Sequence, residues 1–129
     1  SMGLLLQNSK MRYVMCHTDL HGWNLIQSKN LILIDWEGLK LAPVEADLFS
    51  FTGTFFFDYA WEDFMSIYQT THKDYQINVE AMRFYRLRRR LEDIHEFVES
   101  ILFDKLTQDD MNQSLRYLKQ ECELLHVMC

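Results

Sequence analysis

All four glycines and the single proline fall at or before Gly53, so the last 76 residues contain neither of the two strongest breakers of regular structure. A stretch of that length with no tight-turn residues disfavours a turn-rich β protein and favours helices. Within it Phe84, Leu87, Leu91, Ile94, Val98 and Ile101 recur at spacings of three and four, which predicts one long helix with a single buried face. Met111, Leu115, Leu118, Cys122 and Leu125 repeat the pattern after Thr107, whose hydroxyl can cap a helix with Asp110 in the capping-box position. Trp61, Phe64, Met65 and Tyr68 predict a shorter helix, and the back half reads as a three-helix assembly. The two longer stripes are too brief to favour a coiled coil over ordinary globular packing.

The front part differs. Tyr13 to Cys16, Leu25-Ile26 and Leu31 to Ile34 are short β-prone runs, the last two joined by the polar turn Gln27-Ser28-Lys29-Asn30, which predicts a small hairpin. Pro43 suits the first turn of a helix running through Val44 to Phe51. At 129 residues, with 48% hydrophobic and 14% aromatic residues, the chain is expected to form one domain, α+β in class and mainly helical. Residues 12–53 would carry the hairpin region and residues 54–129 the helices. Ser1-Met2-Gly3 reads like a cloning scar ahead of a start codon, and Leu4-Leu5-Leu6 is too short for a signal peptide. No apolar run reaches the length of a membrane span, so no membrane contact and a cytoplasmic setting are expected. Three cysteines, Cys16, Cys122 and Cys129, show neither disulfide nor metal spacing. A net charge of −6 argues against nucleic acid as a partner and biases the surface toward cationic ligands.

Chemistry-bearing residues crowd one stretch, His17-Thr18-Asp19-Leu20-His21-Gly22-Trp23-Asn24, and Asp35 closes the second strand of the hairpin. If the hairpin brings Asn24 and Asp35 together, they offer an amide carbonyl and a carboxylate, the hard oxygens that Mg²⁺ prefers. Asp19, in the intervening loop, would then be placed to accept a proton from a hydroxyl that attacks phosphorus.

The order His17-x-Asp19-x-x-x-x-Asn24, a hairpin, then Asp35 resembles the catalytic loop and metal-binding acid of the protein-kinase-like superfamily. The fuller form, His-x-Asp-Leu-His-Gly-x-Asn followed by Ile34-Asp35-Trp36-Glu37 and later Asp47-Leu48, is similar to the aminoglycoside phosphotransferase and choline kinase family. Tyr85-Arg86-Leu87-Arg88 and Leu91-Glu92-Asp93-Ile94 are similar, more weakly, to spectinomycin-type antibiotic phosphotransferases. The resemblance implies a carboxy-terminal lobe with a small catalytic β-hairpin and four to five helices. It implies Asp19 as catalytic base, Asn24 and Asp35 as magnesium ligands with Glu37 as a further candidate, and His17, His21 and Asp47 as supports of the loop. The implied reaction is transfer of phosphate from ATP, with Mg²⁺, to a hydroxyl of a small cationic molecule, an aminoglycoside-like antibiotic or a choline-like alcohol. Thr18 replaces the glycine usual in the family, and Trp23 stands where a short residue is common.

No glycine-rich phosphate loop, strand lysine or partner glutamate is recognisable, so the chain reads as a carboxy-terminal lobe alone, expected to be inactive by itself and to self-associate through uncovered apolar surface. A noncatalytic interaction or oligomerisation module derived from such a lobe is the alternative. Glu92, Asp93 and Glu96 are candidate contacts for a cationic substrate, although Arg88 and Arg89 stand four residues before Glu92 and Asp93, in register for self-neutralising pairs. That pairing makes the run from Arg83 to Arg90 a solvated helix face rather than a phosphate grip. An iron triad of His17, Asp19 and one of His72, His95 or His126 is disfavoured because such sites sit in many-stranded folds. Zinc on Cys16, His17 and His21 is disfavoured because adjacent residues on a strand point to opposite faces.

Overall fold

A computed structural model describes residues 11–52 and 60–128, in two compact units, Ser1–Tyr85 and Arg86–Cys129. Ser1-Met2-Gly3, Leu4-Leu5-Leu6, Gly53 and Cys129 lie outside the described residues.

In the first unit, β1 (Tyr13–Cys16) pairs antiparallel with β4 (Lys40–Pro43), with Met15 opposite Leu41 and Val14 opposite Ala42. A separate hairpin joins β2 (Leu25–Gln27) to β3 (Leu31–Leu33), with Ile26 opposite Ile32. The hairpin is the one expected from its turn residues. β4 is not: Pro43 ends a strand instead of opening a helix. It can do so because it carries no N–H to donate and stands at the end of an edge strand, where none is needed. The chain then turns at Val44 into α1 (Glu45–Leu48), four residues long, followed by a 3₁₀ turn at Phe49–Phe51.

Two small cores hold this unit. Cys16, Ala42 and Ala46 are buried together, with Val14 and Tyr85 against them. Leu48, Ile77 and Met82 form the second, closed by α2 (Trp61–Thr71) through Trp61, Phe64, Met65 and Tyr68, the face its spacing predicts. A stack of rings runs through it, Phe51 on Phe64 at 5.8 Å and Phe64 on Tyr68 at 6.0 Å between centroids, an arrangement that adds to simple area burial.

α3 (Val79–Phe103) begins in the first unit and continues into the second, where α4 (Gln108–Met128) follows. Thr107 caps α4 as its sequence implies: its hydroxyl accepts the Asp110 amide at 3.1 Å and donates to the Asp110 carboxylate at 2.7 Å. The covered face of α3 within the second unit is rotated from the expected stripe. Leu91 and Val98 are exposed, while Arg90 and Phe97 are partly covered. Arg90 donates to Glu121 of α4 at 2.9 Å and lies 3.1 Å from the Met128 sulfur. The expected solvated basic face therefore gives up Arg90 to the helix seam, and Arg86 is half-buried as well, its guanidinium disfavoured by burial. In the seam a bidentate-capable guanidinium gains a carboxylate with both side chains four-fifths shielded. Among the described residues no helix is long and apolar enough to cross a membrane.

Candidate functional site

β1 delivers the loop. Its last residue, Cys16, is fully buried, with Sγ 3.4 Å from the Pro43 carbonyl oxygen. Burial, with the charges of Asp47 and Glu45 near it, pushes this thiol up to about 11. His17 follows at 2% exposure, its Nε2 2.7 Å from the Ile34 carbonyl oxygen and its Nδ1 3.2 Å from the Asp19 amide nitrogen. A carbonyl can only accept and an amide N–H can only donate, so these partners select the tautomer with the proton on Nε2. Trp36 packs its ring edgewise on His17, centroids 4.9 Å apart, and donates its own Nε1–H to Leu33 O at 2.8 Å.

Thr18 sits at φ 72°, a left-handed conformation that explains why glycine is usual at such a position. Two contacts hold it there. Its amide donates to Asp47 Oδ1 at 2.7 Å, while its hydroxyl donates to the Gly38 carbonyl at 2.9 Å. Asp47 Oδ2 takes the preceding amide, His17 N–H, at 2.8 Å, so one carboxylate on α1 clamps two successive amides of the loop. Gly38 has no room for a side chain: a Cβ there would lie 2.7 Å from Thr18 Oγ1.

The loop thus presents Asp19 partly exposed, and Asn24, 94% buried, is fastened to it. Asn24 Nδ2 donates to the Asp19 carbonyl at 2.9 Å and lies 3.5 Å from Asp19 Oδ2 and 3.2 Å from His21 Nε2. His21 Nε2 is itself 3.5 Å from Asp19 Oδ2. With its nitrogen committed, the amide of Asn24 keeps its carbonyl oxygen as the atom a hard cation would take. The Ile34 amide donates to the main-chain carbonyl of Asn24 at 2.9 Å, and this bond, one residue before Asp35, brings the acid to the same end of the hairpin. β3 ends at Leu33, and Asp35 lies beyond it at φ 64°, ψ 64°. Its carboxylate is exposed and makes no capping bond to the turn it precedes, Trp36–Gly38. Strain of this kind persists where the surroundings over-determine it, here the hairpin register and the Trp36–Leu33 bond. Glu37 is exposed within that turn.

Asp19 and Asn24 thus meet in the loop and Asp35 follows the hairpin bond beside them, while Glu92, Asp93 and Glu96 lie on α3 in the second unit. There Arg88 pairs with Glu92 at 2.8 Å and Arg89 with Asp93 at 3.0 Å, the two pairs expected from their register. Burial raises the Asp93 carboxyl against the opposing pull of Arg89. A shallow hollow of about 350 Å³ is lined there by Arg88, Leu91, Glu92, His95 and Glu96. Among the described residues no three His, Cys, Asp or Glu side chains cluster as a metal site, so any cation at the loop must take an amide oxygen, water or phosphate as well.

Sequence reasoning missed Glu45. It is fully buried, and its Oε1 accepts from the Tyr75 hydroxyl at 2.5 Å and the Asn78 amide at 2.8 Å. Burial and this carboxylate hold the Tyr75 hydroxyl well above its ordinary range. The signal was present in Val44-Glu45-Ala46-Asp47-Leu48, where an acid stands among residues that have to face a core.

Residues 3–88 match the APH phosphotransferase enzyme family. The chain belongs to that family. Among solved structures it is similar to spectinomycin phosphotransferase APH(9)-Ia in complex with ADP and spectinomycin, with a TM-score of 0.69 and 22% identity over 92% of this chain. The AMP-bound complex of the same phosphotransferase gives a TM-score of 0.65 at 21% identity. In both cases this chain spans 38% of the other's length. The shared fold is the kinase-like one, α+β and mainly helical with a small antiparallel hairpin. No curated protein sequence matches the chain at a significant level.

Proposed function

We propose that this site serves ATP-dependent phosphoryl transfer to a hydroxyl of a small cationic molecule, an aminoglycoside-like antibiotic or a choline-like alcohol. The observation that carries the reading is the fastening of Asn24 to Asp19, with the hairpin bond beside it that brings up an uncapped Asp35. In this reading Asp19 Oδ accepts the hydroxyl proton as the oxygen attacks phosphorus. Asn24 Nδ2 and His21 fix where that carboxylate stands, and His17 and Asp47 hold the loop that carries it. Asn24 and Asp35, with Glu37 as a further candidate, fit Mg²⁺ by their donor chemistry, two hard oxygens with room for water and phosphate. Bound there, the ion would neutralise charge on the transferring group.

The neighbouring phosphotransferase crystallised with ADP and spectinomycin supports a nucleotide and an amine-bearing acceptor for this site as well. Because the chain spans 38% of that protein's length, we further propose that it lacks turnover alone. A coupled assay with Mg²⁺, ATP and spectinomycin should give no rate above that of Asp19→Ala, and rapid turnover would overturn this part of the proposal. A second reading, a noncatalytic association module, is favoured by Tyr13, Met15 and Leu41, exposed on the β1–β4 sheet. Self-association in light scattering is expected under either reading; a monodisperse monomer at high concentration contradicts it.

A further inference from the structure

A β-branched residue is a poor choice for left-handed backbone, yet Thr18 stands there, at φ 72°. Among the described residues one other non-glycine shares that region, Asp35 at φ 64°. The two strained segments are bonded to each other. The Thr18 hydroxyl donates to the Gly38 carbonyl at 2.9 Å, across 20 residues of chain. Gly38 is needed for that approach, because a Cβ on it would lie 2.7 Å from Thr18 Oγ1 and 3.3 Å from the His17 carbonyl oxygen. The bond closes a frame around the turn that carries Asp35. At the start of the turn the Ile34 carbonyl accepts from the His17 ring at 2.7 Å, and the Ile34 amide donates to the main-chain carbonyl of Asn24 at 2.9 Å. At its end Gly38 is held by Thr18, whose own amide is fixed at 2.7 Å by Asp47. Asp35 lies between the two held ends, and Asp19 follows Thr18 directly in the chain.

Resting on the proposed phosphotransferase reading, we infer that Thr18 is a positioning residue: its hydroxyl, bonded to Gly38, sets the spacing between the loop of the base Asp19 and the turn of the metal acid Asp35. Glycine would satisfy the backbone angle at lower strain, but it would leave the turn fastened to the loop at Ile34 and released at Gly38. A cation taken up by Asn24 and Asp35 gains from ligands that are held before it arrives, since the ordering of Asp35 is then completed in folding and not during binding. Strain kept at such a place, over-determined by Asp47 on one side and Gly38 on the other, fits a role in holding the site.

The test compares Thr18→Ser, Thr18→Val and Thr18→Gly with wild type in the whole chain, reading Mn²⁺ affinity by electron paramagnetic resonance and melting temperature by circular dichroism. Serine keeps the hydroxyl. Valine keeps the branched shape and its strain without the hydroxyl, and glycine loses both. Affinity should follow the hydroxyl: Thr18→Val and Thr18→Gly should each weaken Mn²⁺ by about three- to tenfold, the effect of one lost hydrogen bond, with Thr18→Ser binding more tightly than either. Melting temperature should follow the strain instead, and be higher in Thr18→Gly than in Thr18→Val. A merely stabilising contact would make the two measurements fall together. Mn²⁺ affinity within threefold of wild type in Thr18→Val or Thr18→Gly, or affinities that rank the variants as their melting temperatures do, overturns the inference. Failure of the underlying reading is seen separately, as wild-type Mn²⁺ binding that is absent or indifferent to Asp35→Ala, and it takes the inference with it.

Discussion

Asp47→Ala separates an acid that builds the loop from the acid proposed to work in it. The Asp47 carboxylate accepts two main-chain amides, His17 at 2.8 Å and Thr18 at 2.7 Å. A hydrogen bond to a charged partner contributes about 1.5–3 kcal/mol, so the pair sets an upper bound near 6 kcal/mol. His17 is buried, so its amide would lose its partner outright, whereas Thr18 is only half-buried and water can replace part of its loss. Thr18 would also lose one of the two contacts that hold it at positive φ. The expected net cost is about 3–4 kcal/mol, a large share of the roughly 5–15 kcal/mol of a typical domain. Asp19→Ala should cost less than Asp47→Ala, because the contacts of its side chain with Asn24 and His21, at 3.5 Å, are longer than the two bonds of the clamp. Urea unfolding followed by circular dichroism gives the global values. Amide exchange at His17 and Thr18 reads the clamp itself, with protection expected to fall on the order of a hundredfold in Asp47→Ala. Unchanged protection, with stability within about 0.5 kcal/mol of wild type, would refute the clamp.

Tyr75→Phe strips the buried Glu45 carboxylate of its shortest bond and should destabilise the chain by about 2–3 kcal/mol in the same unfolding assay; a cost below about 0.5 kcal/mol would show that the pair carries nothing. Gly38→Ala drives a Cβ against Thr18 Oγ1 and should cost about 1–3 kcal/mol, and pairing it with Thr18→Gly should remove at least half of that. Strict additivity in this double-mutant cycle would place the strain elsewhere. The Cys16 thiol titrates higher in the folded chain than its ordinary value of 9.0, at about 11, so the folded state keeps its proton longer. Stability should be unaffected by this group below about pH 8.5 and then fall by about 2–3 kcal/mol in all as pH rises through 9 to 11. Cys16→Ala should remove that share of the alkaline loss, and an identical pH profile in the variant would contradict the assignment.

Local signals were legible where one stretch of chain supplies both halves of an interaction. The Thr107–Asp110 cap, the Arg88–Glu92 and Arg89–Asp93 pairs and the Leu25 to Leu33 hairpin all close within ten residues, and spacing alone predicts them. Features that depend on distant partners were not. β4 exists because Lys40 to Pro43 meet Tyr13 to Cys16, and Pro43 read in isolation is as good a helix opener as a strand end. The period of α3 predicted a buried face but not which of two adjacent stripes it is. That choice follows from Arg90 meeting Glu121, 31 residues away. In the candidate site the spacing of Asp19 and Asn24 was readable, whereas the left-handed backbone at Thr18 and Asp35 and the exposure of Trp23 needed coordinates.

The central claim is that the oxygens of Asn24 and Asp35 share one hard cation beside the Asp19 carboxylate. Crystals of the chain soaked with Mn²⁺ and ADP, with data collected at the manganese absorption edge, test it most directly. The account predicts one anomalous peak per chain within about 2.5 Å of both Asn24 Oδ1 and an Asp35 carboxylate oxygen, lost in Asp35→Ala. A peak elsewhere on the chain, or none at saturating Mn²⁺, would contradict it.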